Sequence, residues 1–415
     1  MNPGEETDVV VVGAGLAGLR CAQALREAGR EVVVLEAADA VGGRIRTDRV
    51  DGFLADRGFQ LLNPSYPAVQ RWVDTESLGL QSFGAGVVAR TERGTTTLGD
   101  PRRAPGTLPA SVLAAAGRPA ELAALARWAA PAVRPTGSRT RAEVVERRAD
   151  VDRATALDRA GADGLLRRVV DAFLAGVLLE DDGTTADRFA LLLVSSFLRG
   201  TPALPVGGMQ ALPEQLAAGL GDRVRLGVRA QEVSARRVVT GDGTWTARSV
   251  VVATDGEAAE LLTGTPAPAG KGVVTTWWSV PEAPDTSLLH VDARRRPTGP
   301  LVNAAVISSA APSYAPAGAR LVQGSALLGP DAVPVEAEMR RHAADLLGTG
   351  STGWQVVARH EVPRALPAQP VPFAARRPVT VGDVVVCGDH RDTGSIQGAL
   401  VSGQRAAHAV LGRTG

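Results

Sequence analysis

Residues 8–47 read DVVVVGAGLAGLRCAQALREAGREVVVLEAADAVGGRIRT, and the fold follows from them. Asp8–Val12 ends in four valines, the pattern of a strand buried on both faces of a parallel sheet. Gly13-Ala14-Gly15-Leu16-Ala17-Gly18 follows at once, a G-x-G-x-x-G. The spacing predicts a helix over residues 19–28, closed by Gly29. A second buried strand is expected over residues 31–35, with Glu36 at its end. Gly13 allows the tight turn, Gly15 lets the backbone approach a pyrophosphate, and Gly18 lets helix and strand pack closely. Leu16 and Ala17 open the helix, whose free N–H groups and positive dipole end favour phosphate. Glu36 is placed to accept hydrogen bonds from an adenosine ribose. Strand, glycines, helix, second strand and acid all fall in register, which separates a nucleotide-binding unit from an unrelated glycine-rich turn.

The chain continues Gly42-Gly43-Arg44, where glycines again permit close approach beside a fixed cation. Arg44 is suited to a bidentate clamp on phosphate. Val50-Asp51-Gly52-Phe53 reads as a hairpin turn, leading to Asp56-Arg57-Gly58-Phe59-Gln60. This second element distinguishes FAD binding from NAD binding. It adds Gly43, Arg44, Gly58 and Phe59 to the cofactor set.

At 415 residues the chain is long enough for two or three domains. Lys+Arg is 45 against Asp+Glu 44, so no charge surplus points to nucleic acid. Two cysteines, Cys21 and Cys387, exclude a disulfide scaffold and fit a reducing cytoplasm. The opening residues are acidic where a signal peptide would be basic, so cytoplasmic residence is expected. No apolar run reaches the ~20 residues of a membrane span; the longest, Phe189–Leu198, is half that. The five histidines show no metal-ligand spacing, so no metal is expected. His342 and His408 read as helix-surface residues. Lysine occurs once, at Lys271, and the other 44 basic residues are arginine. A lysine kept in that background is a candidate for work that needs an amine.

The stretch VVGAGLAGLRCAQALREAGREVVVLEAADAVGGRIRT resembles the FAD-dependent amine oxidase, phytoene desaturase and protoporphyrinogen oxidase superfamily. Two later blocks support this. One is Leu204–Asp255, with LPVGGMQALPEQLA, VRLGVRAQEV and SVVVATD; the other is VVVCGDHRDTGSIQGALVSGQRAAHAVL near the C-terminus. The resemblance implies that the backbone of Ala230 meets adenine and that Gly388-Asp389 meets the ribityl or pyrophosphate region. It brings Ser395, Ile396 and Gln397 to the flavin ring at a helix N-terminus. It also implies that Lys271 reaches toward flavin N5 through a water.

The fold class expected is α/β: a discontinuous Rossmann-like FAD-binding domain of residues 1–75, 205–265 and 380–415. A second, α+β substrate domain, a mixed sheet under a helical cap, would take residues 76–204 and 266–379. The first insert contains helical stretches at 109–132 and 164–179; the second has strand-like runs at 273–280, 301–307 and 321–328.

Gly84-Ala85-Gly86 reads as a turn into a strand rather than a second dinucleotide motif. Cys387 reads as a small buried strand residue, so FAD is expected to be noncovalent. The run Glu180-Asp181-Asp182 reads as a solvated face. The stretch 109–132 is poor in charge but lacks a basic polar face, so a cap helix is favoured over a membrane-surface helix. Peripheral association stays open, as does the oligomeric state. Amine oxidases usually hold the substrate nitrogen between two aromatic side chains, and one of those positions is Ser395 here. Trp277 or Trp278 would supply a wall, since on a strand only one of them points inward. The segment Gly394–Ala399 is closer to the plant-type carotenoid desaturases. The expected function is therefore an FAD-dependent oxidoreductase that removes a hydride from a largely apolar small molecule to flavin N5 and passes electrons to oxygen or another acceptor. A flavin amine oxidase is the alternative. A non-catalytic binding protein is the second, since the Rab GDP-dissociation inhibitors share this general fold.

Overall fold

The computed structural model describes residues 4, 6–100, 102–133, 145, 147, 149–329 and 333–413. Residues 134–144 and 330–332 of the expected substrate-domain ranges lie outside the described residues. Two large sheets organise the chain, and both are mixed.

In the first, the strand Glu6–Val12 lies between Val32–Leu35 and Gly243–Val252, parallel to both. Val224–Arg225 and Val384–Val386 extend the parallel part on either side. The antiparallel pair Ala230–Val233 and Arg237–Thr240 and the short strand Thr380–Val381, antiparallel to Val384–Val386, complete it. The register sets Val12 beside Leu35 and Val252, and Val252 beside Val386. Strands from the start, middle and end of the chain thus finish side by side. The first helix, Leu16–Glu27, packs against the last, Ile396–Arg413. Gly403 allows it, because a Cβ there would collide with the Ala17 carbonyl. Gly18 serves packing in the same way, since its Cβ would strike the Gly13 carbonyl. The expected hairpin forms between Thr47–Val50 and Phe53–Asp56, with Asp51 at φ 48° and Gly52 at φ 82°, as a primed turn requires.

The second sheet orders the strands Gln355–Pro367, Gly270–Val280, Arg320–Leu328, Leu301–Val306, Leu289–Asp292, Gly86–Thr91 and Gly94–Gly99. It draws on both inserts. Helix Glu336–Leu347 packs against one face, where Met339 joins Trp278 and Trp354 in an apolar cluster. Helix Gly164–Leu178 crosses the other face and joins Pro119–Val133, Arg153–Arg159 and Asp187–Arg199 in a helical layer. The stretch expected to form one helix over 109–132 forms two, Leu108–Ala115 and Pro119–Val133, because Gly117 turns the chain at φ 75°.

Three expectations are corrected by burial. His342 is not on the surface: it is 2% exposed, its Nε2 lies 2.9 Å from Asp292, and its Nδ1 accepts from the Leu301 amide at 3.0 Å. Glu180 is not solvated either, at 6% exposed. It accepts from the Thr185 amide and hydroxyl and pairs with Lys271 and, at 3.8 Å, with Arg153. Trp277 and Trp278 do point to opposite faces, yet both are core. Trp277 donates to the Asp56 carbonyl at 3.1 Å, and Trp278 donates to Glu336 at 2.8 Å.

Candidate active site

The parallel strands end at a cavity of about 1250 Å³. Two glycine loops form one side of it. Gly42 donates its amide to the Ala14 carbonyl at 2.8 Å and pairs with Gly15 as an isolated bridge. The GAG and GGR segments therefore stand shoulder to shoulder. Gly13, at φ 104°, has no room for a side chain: a Cβ would sit 2.8 Å from the Ala253 carbonyl oxygen. Gly15 has open space where a Cβ would be, so its backbone is bare toward the cavity.

Glu36 is 9% exposed and anchored through both oxygens. Oε2 accepts from Ala14 N at 2.7 Å, and Oε1 accepts from Ala38 N at 2.8 Å. Each oxygen keeps a lone pair for a hydroxyl group. Arg44 donates to Asp389 at 2.6 Å and to the Ala365 carbonyl at 2.8 Å. Burial works against its charge, but Asp389 outweighs that and raises its pKa. Gly388 is required where it stands, since a Cβ would meet the His390 ring at 2.5 Å.

Gly13, Gly15, Leu16, Ala17, Glu36, Gly43, Arg44, Phe59, Ala230, Gly388, Asp389, Ser395 and Ile396 all border the cavity. Four expected residues do not. Gly18 is the packing residue described above. Gly58, at φ 95°, supplies a turn. Gln397 turns its side chain away to accept from the Ala68 amide at 2.8 Å. The Lys271 ammonium is held by Glu180 and, at 2.8 Å, by the Thr185 hydroxyl. That pins the amine between strand Gly270–Val280 and the end of helix Gly164–Leu178, away from the cavity wall.

The rest of the wall was not legible beforehand. Val169, Val170, Phe173, Gly176 and Val177 come from one face of helix Gly164–Leu178, at helical spacing. Leu193 and Phe197 come from helix Asp187–Arg199. Phe59 and Phe83 meet edge-on at 5.9 Å, as do Phe173 and Phe197 at 5.3 Å. Four of the seven phenylalanines in the chain border this one cavity; in a sequence so poor in aromatics their scarcity was the available signal. Gly84 and Ala85 border it too, and strand Gly86–Thr91 begins there, so that segment is a turn into a strand. Among the described residues, the bordering carboxylates are Glu36, Asp100, Asp255 and Asp389, and all are engaged. Asp100 pairs with Arg102 at 2.8 Å and Arg103 at 3.1 Å, which hold its carboxyl well below the usual range. Asp255 caps the helix Gly256–Thr263 through the Ala258 amide at 3.0 Å. Burial pushes the Tyr66 phenol up to about 12, so this wall residue stays neutral.

His390 lies behind Gly388, 3% exposed, and neither ring nitrogen finds a partner among the described residues. Burial pushes its pKa down to about 4, in spite of Asp389. A neutral buried imidazole contributes stability that is complete above the unfolded value near 6.5 and is lost as pH falls toward 4. Wild-type protein should lose on the order of 2 kcal/mol more than His390→Phe between about pH 7 and pH 4.5. Urea midpoints at the two pH values check this, and equal losses would show that the ring finds a partner when protonated.

Cys21 and Cys387 are both buried, and neither borders the cavity. No helix among the described residues is long and apolar enough to cross a membrane, and no cluster of side chains suited to a metal occurs among them.

Putrescine oxidase of Kocuria rosea is 33% identical over 237 residues, 53% of this chain and 47% of that protein. The chain thus spans about half the length of that relative. Among solved structures, putrescine oxidase bound to putrescine superposes with a TM-score of 0.70 at 20% identity, covering 99% of this chain and 100% of that one. An oxidoreductase from Methanosarcina mazei gives 0.74 at 16% identity, covering 97% and 100%. At these identities the superpositions speak for the fold alone. The profile of the family described as flavin containing amine oxidoreductase matches residues 16–411, and the chain belongs to that family.

Proposed function

We propose that this chain is an FAD-dependent oxidoreductase acting on a largely apolar small molecule, with electrons passing to oxygen or another acceptor. The observation that carries the reading is the continuity of one cavity from the paired glycine loops to a chamber walled by four phenylalanines. The paired loops, the anchored Glu36 and the Arg44–Asp389 pair fit a dinucleotide. Glu36 would hold the ribose, the helix end at Leu16 and Ala17 and the Arg44 guanidinium would hold the phosphates, and Ala230 would border the adenine. Bound there, the flavin supplies the hydride acceptor. Ser395 and Ile396 border the reaction space, and the phenylalanines bind the substrate and exclude water from it.

Residues 1–75, 205–265 and 380–415 would form the FAD-binding domain, and 76–204 and 266–379 the substrate domain. The division of strands between the two sheets supports this. The burial of Cys387 beside Cys21, off the cavity wall, supports noncovalent FAD. A second reading, oxidation of an amine, is favoured by the similarity to putrescine oxidase. Against a dication as substrate stands the engagement of every bordering carboxylate described.

The purified protein should be yellow, and acid should release the flavin into the supernatant. Anaerobic bleaching of that flavin by neutral apolar substrates supports the first reading. Peroxide release with a panel of amines, and none with apolar compounds, supports the second. A preparation that stays colourless with added FAD would overturn both.

A further inference from the structure

The second sheet carries a row of buried polar side chains under helix Gly164–Leu178, where an apolar face would pack as well. Thr275, Ser325 and Asn303 lie side by side on three adjacent strands, with Gln323 two positions from Ser325. All four are at most 3% exposed. Thr275 and Ser325 share a hydrogen bond of 2.9 Å between their hydroxyls. The Gln323 amide nitrogen donates to Ser325 at 2.6 Å and to the Asn303 carbonyl oxygen at 3.4 Å. With its oxygen accepting within the sheet, the Asn303 NH2 group makes no hydrogen bond to the described residues, and Asn303 borders the cavity. Helix Gly164–Leu178 makes room for it: a Cβ on Gly176 would collide with Asn303 Nδ2. A second amide repeats the arrangement on another wall. Asn63 is 2% exposed and borders the same cavity. Its oxygen accepts from the Ser65 amide at 2.9 Å and the Ser65 hydroxyl at 2.8 Å, and its Nδ2 has no partner among the described residues. The Asn63 donor is buried and unpaired, and the Asn303 NH2 group makes no bond to the described residues; donors so placed beside an apolar chamber are costly unless a ligand satisfies them.

We infer that Asn303 and Asn63 are specificity-determining residues, and that they recognise an uncharged oxygen acceptor, a carbonyl, on an otherwise apolar substrate. The inference rests on the apolar reading of the chamber given above. An ammonium offers these groups no acceptor. A carboxylate in the phenylalanine chamber would find Arg102 and Arg103 already held by Asp100, while Arg229 borders the cavity beside Ala230, away from the chamber. A site built to hydrogen-bond one substrate atom rejects the analogue that lacks it, because its own polar groups are then stranded.

The test uses the FAD-loaded protein and three probes of similar shape: benzylacetone, butylbenzene and phenylbutylamine. Affinity is read from the shift of the flavin absorption band and from calorimetry, and the flavin content of each variant is measured first. Benzylacetone should bind at least about tenfold tighter than butylbenzene, a difference of ~1.4 kcal/mol. Asn303→Leu should erase the preference while leaving butylbenzene affinity intact. Gly176→Ala should do the same by displacing the amide without removing it, which keeps the test valid if Asn303→Leu fails to load flavin. Equal binding of benzylacetone and butylbenzene by the wild type would overturn the assignment of the two amides and leave the apolar reading standing. Tightest binding of phenylbutylamine, or no binding of either neutral probe, would overturn both.

Discussion

Glu36→Ala and Arg44→Ala should each weaken FAD binding about tenfold to hundredfold. Each removes charge-assisted bonds worth ~1.5–3 kcal/mol apiece. The two losses differ in kind. At Glu36 the carboxylate also anchors the Ala14 and Ala38 amides, so its removal loosens the glycine loop itself. Glu36→Gln keeps the size and one acceptor, and should recover part of the affinity. At Arg44 the loss strands Asp389, whose side chain is 8% exposed. Arg44→Lys restores a charge without the fork that reaches both Asp389 and the Ala365 carbonyl, and should rescue little. Flavin retained through gel filtration, followed by titration of the stripped protein, reads both effects. Wild-type retention in both alanine variants would move the cofactor out of this cradle.

Lys271→Met should cost stability on the order of 3 kcal/mol, the usual result of removing one partner from a buried ion pair. Glu180 would keep the Thr185 bonds and the longer pairing with Arg153, but lose the ammonium closest to it. The second change Glu180→Gln should therefore recover part of the loss, which a double-mutant cycle in urea measures. Because the amine is tied to Glu180 and Thr185, flavin reduction and reoxidation in the folded variant should keep their wild-type rates. Unchanged stability with either half-reaction slowed about tenfold would return Lys271 to the catalytic role that the family resemblance implies.

The contrast between these two sites shows what the sequence discloses. The cradle is legible because its physics is local. Strand, turn, helix end and acid are set within 30 residues of one another, and each demands a particular residue type. Lys271 and Glu180 are 91 positions apart, and nothing in EDDG or GKG announces that they meet. An acidic run after a helix is solvated unless some distant strand delivers a cation to it, and here one does. His342 misleads for the same reason, since Asp292 lies 50 positions away. The chamber is the least legible part. Its phenylalanines come from two loops and two helices that touch only once both sheets are assembled. Gly176 reads as a poor helix residue until Asn303 is seen opposite it.

The parallel strands of the first sheet come from residues 6–12, 32–35, 224–225, 243–252 and 384–386. During synthesis the glycine loops emerge early, and the strand that precedes Gly388 and Asp389 emerges hundreds of codons later. A nascent chain has half a cradle for most of its time on the ribosome, and the Arg44 guanidinium has no Asp389 to meet. Joining the two ends closes a loop of nearly the whole chain, an entropy cost met only when the last strand pairs with Gly243–Val252. If the flavin sits in the cradle proposed above, its uptake on this architecture would be a late event. Messages cut short after the middle block would yield protein with the complete N-terminal fingerprint but without Asp389 to pair with Arg44.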